Sequence, residues 1–200
     1  MKRIVYLVSP NKINNKFYKS LEKVLAFKNT EFFQLRLKNT SRIKIIKIAK
    51  NIKKITEKYK VKFIINDSPE IAKKINANGC HLGQTDSSIT KARRILKNKI
   101  IGVTCHSSKK LVYKALKDKA SYIALGSFFR SRLKPKAKKA NLKILKWAKQ
   151  NTKKPIVVIG GISDKNYKNL IIKGANYIAI SSFIWDNPFL KPEIAIKKFK

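Results

Sequence analysis

Short apolar runs alternate with longer amphipathic ones along the whole chain, and no other pattern in the sequence restricts its fold as much. The short runs fall at Arg3 to Val8, Glu31 to Leu37, Lys62 to Asn66, Cys80 to Gly83, Ile100 to Thr104, Ala120 to Gly126, Ile156 to Gly160 and Tyr177 to Ser181. Most are nearly continuous in apolar residues, as strands buried on both faces must be. Between them, segments such as 41 to 60 and 107 to 118 carry apolar residues at helical spacing and lysines at the remaining positions. This alternation signals βα units around a parallel sheet. Eight units in succession within 200 residues, with no linker and no change of composition, predict an α/β protein: a single compact (β/α)8 TIM barrel over residues 1–200. The rival is an open doubly wound sheet. Its glycine-rich turn G-x-G-x-x-G is missing here, because the first strand ends in Ser9-Pro10-Asn11.

All strands of such a barrel end on one face, which makes polar residues at those ends candidates as a set. Acids are scarce, ten against 48 lysines and arginines, so their placement is informative. Asp67 and Asp86 each stand between a short apolar run and the helix that follows. Paired carboxylates at strand ends suit Mg²⁺, a hard ion usually held by one or two carboxylates plus substrate phosphates. Asp in this position also suits a helix N-cap, and the residues alone leave both roles open. Gln34, Arg36 and Lys38 alternate along the second strand and so share one side of it, where two cations call for an anionic partner. Asn66 and Thr104 close strands three and five. Gly160-Gly161 and Ser181-Ser182 close strands seven and eight, the corner where barrels often bind phosphate through backbone N–H groups. His81, inside a strand, is expected to be a hydrogen-bonded core residue and His106 a polar loop residue. Cys80 and Cys105 have neither disulfide nor zinc spacing and read as small buried residues.

The formal charge of +38 raises the question of nucleic acid. Lysines recur on the polar face of every expected helix instead of gathering on one, which describes a solvated exterior, and no specific nucleic-acid binding is expected. No apolar run approaches the roughly 20 residues that span a bilayer, and the start MKRIVYLVSP lacks a leader's cleavage site. The expectation is a cytoplasmic protein acting on small phosphorylated molecules, without a membrane partner and with its oligomeric state open.

Several stretches, taken in order, carry a family resemblance: QLRLK at 34–38, IINDSPEIA at 64–72, GCHLGQTD at 79–86, IGVTCHS at 101–107, YIALGSFF at 122–129, and VVIGGIS with the later GANYIAISS. Over nearly its whole length the chain resembles the thiamine-phosphate synthase family of (β/α)8 enzymes. The resemblance implies an Mg²⁺-dependent transferase that joins an aminopyrimidine diphosphate to a thiazole phosphate, giving thiamine phosphate and diphosphate in thiamine biosynthesis. It implies that Gln34, Arg36, Lys38, Asn66, Thr104 and Lys134 hold the pyrimidine diphosphate and that Asp67 and Asp86 bind the metal. Ser131, Arg132, Leu133, Gly161, Ser181 and Ser182 would hold the thiazole phosphate. No side chain is implied as acid or base; Arg36, Lys38 and Lys134 would act electrostatically. The chain departs from the family in having Gly126-Ser127 for Gly-Pro, Ser131-Arg132-Leu133-Lys134 for Thr-x-Thr-Lys, and Ser68 for the Arg after Asn-Asp. Two other functions compete: a diverged thiazole tautomerase, which needs no metal and typically has His at position 127, and a non-catalytic paralogue binding phosphate ligands or nucleic acid.

Overall fold

A computed structural model describes residues 3–130 and 139–200. Eight parallel strands close into a barrel in sequence order: β1 (Val5–Val8), β2 (Thr30–Leu35), β3 (Lys62–Asn66), β4 (Gly79–Leu82), β5 (Ile100–His106), β6 (Tyr122–Gly126), β7 (Ile156–Ile159) and β8 (Tyr177–Ile180). Closure comes from β1 lying against β8, with Val5 opposite Ile178 and Leu7 opposite Ile180. The expected fold class is therefore the observed one. Helices follow the strands: α1 (Asn15–Leu25), α2 (Arg42–Lys58), α3 (Pro69–Lys74), α4 (Ile89–Leu96), α5 (Lys109–Lys117), α6 (Leu142–Asn151), α7 (Tyr167–Ile172), α8 (Ser182–Trp185) and α9 (Pro192–Ala195), with a 3₁₀ turn at Ile196–Lys198.

Some element ends differ from the sequence expectation. β2 stops at Leu35, so Arg36 and Lys38 stand beyond the strand on the rim, where water helps solvate cations. The chain ends in the short α9 followed by the 3₁₀ turn, where the buried Asn29 amide donates to the carbonyls of Ile196 and Phe199.

Local chemistry explains where the helices begin. Asn14, Ser41, Ser68, Ser88, Ser108 and Asn141 each accept a hydrogen bond from the backbone N–H three residues on. Such caps are worth about 1 kcal/mol apiece.

The apolar core has two layers. A large outer layer packs Leu21, Ile52, Phe63, Leu145 and Phe199 between strands and helices. Inside the barrel sits a smaller cluster of Tyr6, Phe32, Ile64, Tyr122 and Val157 with neighbouring small residues. The tyrosine ring of residue 122 fits because residue 102 is glycine: a Cβ there would lie 1.8 Å from the Tyr122 ring carbon Cζ. Among the described residues no helix is long and apolar enough to cross a membrane.

Candidate active site

At the carboxyl ends of the strands lies a cavity of about 380 Å³. Gln34, Arg36, Lys38, Asn66, Asp67, Asp86 and Thr104, drawn from β2 to β5 and the turns after them, line one side. Gly160, Gly161, Ser181 and Ser182 line the other. Every described residue of the expected substrate and metal sites thus faces one space. Ser131, Arg132, Leu133 and Lys134 lie outside the described residues.

Neither aspartate caps a helix. The cap of α3 is Ser68 and that of α4 is Ser88, which leaves both carboxylates available to the cavity. Asp67 sits in the left-handed region at φ 64°, a conformation Asp tolerates better than most side chains, with its N–H on the His81 carbonyl at 2.8 Å. The Lys38 ammonium donates to its carboxylate. Asp86 accepts the Gly83 N–H at 2.6 Å. The two carboxyl groups lie close enough for each to shift the other's ionisation.

Their ionisation follows from this closeness. Burial pushes the Asp67 carboxyl up, but the hydrogen bonds from Lys38 and Asp86, with the charges of Lys38 and Arg36, outweigh it and hold the group below its ordinary value. Asp86 moves the opposite way, raised by burial and by its ionised neighbour against the lowering effect of the Gly83 N–H. Of the two, Asp86 is therefore the more reluctant to ionise, as like charges side by side require. A divalent cation between them would relieve that repulsion. The donors on offer are all oxygen, and among the described residues no cluster of three or more His, Cys, Asp or Glu side chains forms a cage. A site of two carboxylates, completed by water and substrate oxygens, fits Mg²⁺.

The opposite wall is built from backbone. Gly160 and Gly161 have φ of 107° and 59°. A Cβ on Gly161 would stand 2.4 Å from the Arg130 carbonyl oxygen, so the close approach of this turn to residues 129–130 needs glycine. Asn166 fixes the turn by donating to the Gly161 carbonyl at 3.1 Å. Ser181 donates to the Ser9 carbonyl at 3.1 Å, and the Ser9 hydroxyl accepts the Arg36 N–H at 2.9 Å. The end of β1 thereby ties the two walls together.

Several lining residues were missed in the sequence. Ser9 and Asn11 belong to the turn after β1, and Asn11 accepts a hydrogen bond from Arg36 at 3.5 Å. Their signal was available, since every βα turn of a barrel opens on the same face. His106, expected in a loop, ends β5 at φ 51° and lines the cavity. His81 is hydrogen-bonded as expected, 2.9 Å from the Tyr122 hydroxyl and 2.8 Å from that of Thr104, but it is only partly buried and lines the cavity instead of sitting in the core. Tyr6 and Tyr122, absent from the sequence-derived set, carry this network further into the barrel, and burial raises both phenols far enough that they stay protonated.

Comparisons with known proteins agree with this geometry. The family model described as thiamine monophosphate synthase matches residues 5–184. The thiamine-phosphate synthase of Pelagibacter ubique (strain HTCC1062) is 53% identical over 200 residues, covering 100% of this chain and 97% of the relative. That of Erythrobacter litoralis (strain HTCC2594) is 37% identical over 186 residues, 90% of this chain and 87% of the relative. Among solved structures, the thiamine phosphate pyrophosphorylase of Pyrococcus furiosus superposes with a TM-score of 0.87 at 26% identity, over 98% of this chain and 93% of that one. With a match that runs through all eight strands and both walls of the cavity, the chain belongs to the thiamine-phosphate synthase family of transferases.

Proposed function

We propose that the chain makes thiamine phosphate by moving the pyrimidinylmethyl group of 4-amino-2-methyl-5-(diphosphomethyl)pyrimidine onto the ring nitrogen of 4-methyl-5-(2-phosphoethyl)thiazole. The methylene C–O bond breaks with its electron pair leaving on diphosphate, and the nitrogen lone pair forms the new C–N bond. The observation that carries this reading is the pair Asp67 and Asp86 facing one cavity, with Lys38 donating to the Asp67 carboxylate and Arg36 on the same rim. In this assignment Asp67 and Asp86 hold Mg²⁺, which when bound neutralises charge on the departing diphosphate.

Arg36 and Lys38 add cationic charge on the same rim, and Gln34, Asn66 and Thr104 hold the pyrimidine below them. On the far wall Gly161, Ser181 and Ser182 present N–H and O–H groups to the thiazole phosphate. Lys134 would join the first set and Ser131, Arg132 and Leu133 the second. No acid or base is assigned, because the reaction asks the protein only to orient two reactants and stabilise a leaving anion. Phosphorylated substrates of this kind place the enzyme in the cytoplasm. The tautomerase reading has less support: such an enzyme needs no diphosphate clamp, whereas this cavity carries two cations and two acids.

Incubation of the protein with both substrates and Mg²⁺ should yield thiamine phosphate, and chelation should abolish it. Asp86→Ala should lower kcat on the order of 100-fold or more, with little rescue by added Mg²⁺. Near-normal turnover in that variant would remove the metal assignment, and no product from the unaltered chain would remove the reaction.

A further inference from the structure

Helices α5 and α6 are neighbours on the outside of the barrel, and neither contains an aspartate or glutamate. Tyr113 on α5 keeps 54% of its surface exposed. Among the described residues the only other exposed aromatic ring is that of Phe189, in the turn between α8 and α9. The Tyr113 ring meets that of Trp147 on α6 edge-on, with centroids 5.2 Å apart and planes at 80°. The Lys109 ammonium stands 5.2 Å from the centroid of the Trp147 ring, within cation–π reach.

Helical spacing surrounds this aromatic pair with charge. Lys109 and Lys110 stand four and three residues before Tyr113 and Lys117 four after it, so all three share its side of α5. Lys143 has the same relation to Trp147 on α6. All four lysines are exposed, and among the described residues none is in an ion pair. Lysines cover the other helices too, so charge alone does not single this face out. An exposed ring among them does. Trp147 braces Tyr113 from the side, which holds the ring in one orientation before anything binds. A second copy of this chain suits the face poorly, because it would set the same four lysines against these and a charge of +38 against its like. An acidic protein surface answers the lysines but offers the ring no flat partner. A single-stranded nucleic acid answers both, with phosphates for the ammonium groups and an unpaired base for the ring.

We propose that the α5–α6 face binds single-stranded nucleic acid without regard to sequence, a base stacking on Tyr113 while backbone phosphates lie on Lys109, Lys110, Lys117 and Lys143. No base edge is read, since the face offers a ring and point charges and no fixed set of hydrogen-bonding groups. The contact uses none of the residues that line the cavity, so it stands apart from the transferase chemistry.

Titration of the full chain with a labelled oligothymidylate of about 20 nucleotides tests this, since a strand of that length spans more than one such site. Fluorescence supplies a local readout: in Trp185→Phe protein the only tryptophan left is Trp147, and its emission should be quenched as the strand binds. Tyr113→Ala should weaken binding by about tenfold with the salt dependence kept, and Tyr113→Trp should bind as well as the unaltered chain. Glutamine at Lys109, Lys110, Lys117 and Lys143 together should lower the slope of log K against log salt by about 3. Glutamine at the exposed Lys44, Lys47, Lys50 and Lys54 of α2 should lower it by less than half as much. The proposal is overturned if Tyr113→Ala binds like the unaltered protein, or if the α2 variant loses as much as the α5–α6 variant, because any lysine-bearing face would then serve. A change in sedimentation caused by Tyr113→Ala, with oligonucleotide binding intact, would also overturn it and make this face a contact between copies.

Discussion

The two walls of the cavity handle anions by different physical means. On the β2–β5 side, charge is carried by side chains: Arg36, Lys38, Asp67 and Asp86 meet at the rim, with Lys38 hydrogen-bonded to Asp67. On the β7–β8 side the described residues present glycine backbone and serine hydroxyls. The proposed ligands differ in the same sense. A diphosphate that must leave gains from cations that stabilise charge as it develops, whereas a phosphate that serves only as a handle needs binding that is equal in ground and transition states. The first wall should therefore govern kcat and the second KM.

The largest test of that division is Asp67→Asn. Asn tolerates the left-handed backbone at this position as Asp does, so the substitution removes charge while leaving the turn in place. Turnover should fall on the order of 100-fold with the melting temperature nearly unchanged. A variant whose KM for thiazole phosphate rose instead, at normal kcat, would show that the walls are not separate.

How far the sequence revealed these walls depended on whether a feature was local. Strands were legible because buried parallel strands are short apolar runs whatever surrounds them. Helix ends were less so. The left-handed positions after α1, α2, α4 and α5, where glycine is the usual signal, are held by Lys28, Lys60, Lys97 and Lys119 at φ 61°, 53°, 49° and 61°. A chain with seven glycines and this much lysine hides that punctuation. The acid pair was legible because acids are rare here, but only the structure, in which Ser68 and Ser88 take the caps, removed the capping alternative. The tyrosine network was invisible, since a tyrosine within a strand reads as apolar core and its partners are far away in sequence. Gln34 and Tyr6 are 28 residues apart, and Tyr6 and Tyr122 are 116 apart. Only closure of the barrel brings them together.

A smaller effect should come from the glycine wall. In Gly161→Ala the new Cβ would meet the Arg130 carbonyl at 2.4 Å and Phe129 Cβ at 2.8 Å, at a φ of 59° that alanine disfavours. The turn must move away from the cavity. Losing one charge-assisted backbone hydrogen bond to phosphate corresponds to about a tenfold rise in KM for the thiazole phosphate. The KM for the pyrimidine diphosphate should stay within about twofold of wild type, because its wall is anchored on β2 to β5. Equal increases for both substrates in initial-rate measurements would mean that the turn supports the entire site.

The gentlest probe is salt. A net charge of +38 surrounds the cavity with a field that attracts both phosphorylated substrates, and this shared attraction should weaken as ionic strength rises. Screening acts over about 10 Å at 0.1 M, so cations at the rim lose part of their effect while hydrogen bonds from backbone N–H groups at contact distance keep theirs. Between low and moderate salt, kcat/KM should therefore drop a fewfold for the pyrimidine diphosphate and less for the thiazole phosphate. Removing the rim charge with Arg36→Met should bring the two salt slopes together. If the slopes already coincide in the unaltered protein, the net charge acts on both substrates alike and the contrast between walls lies in contact chemistry alone.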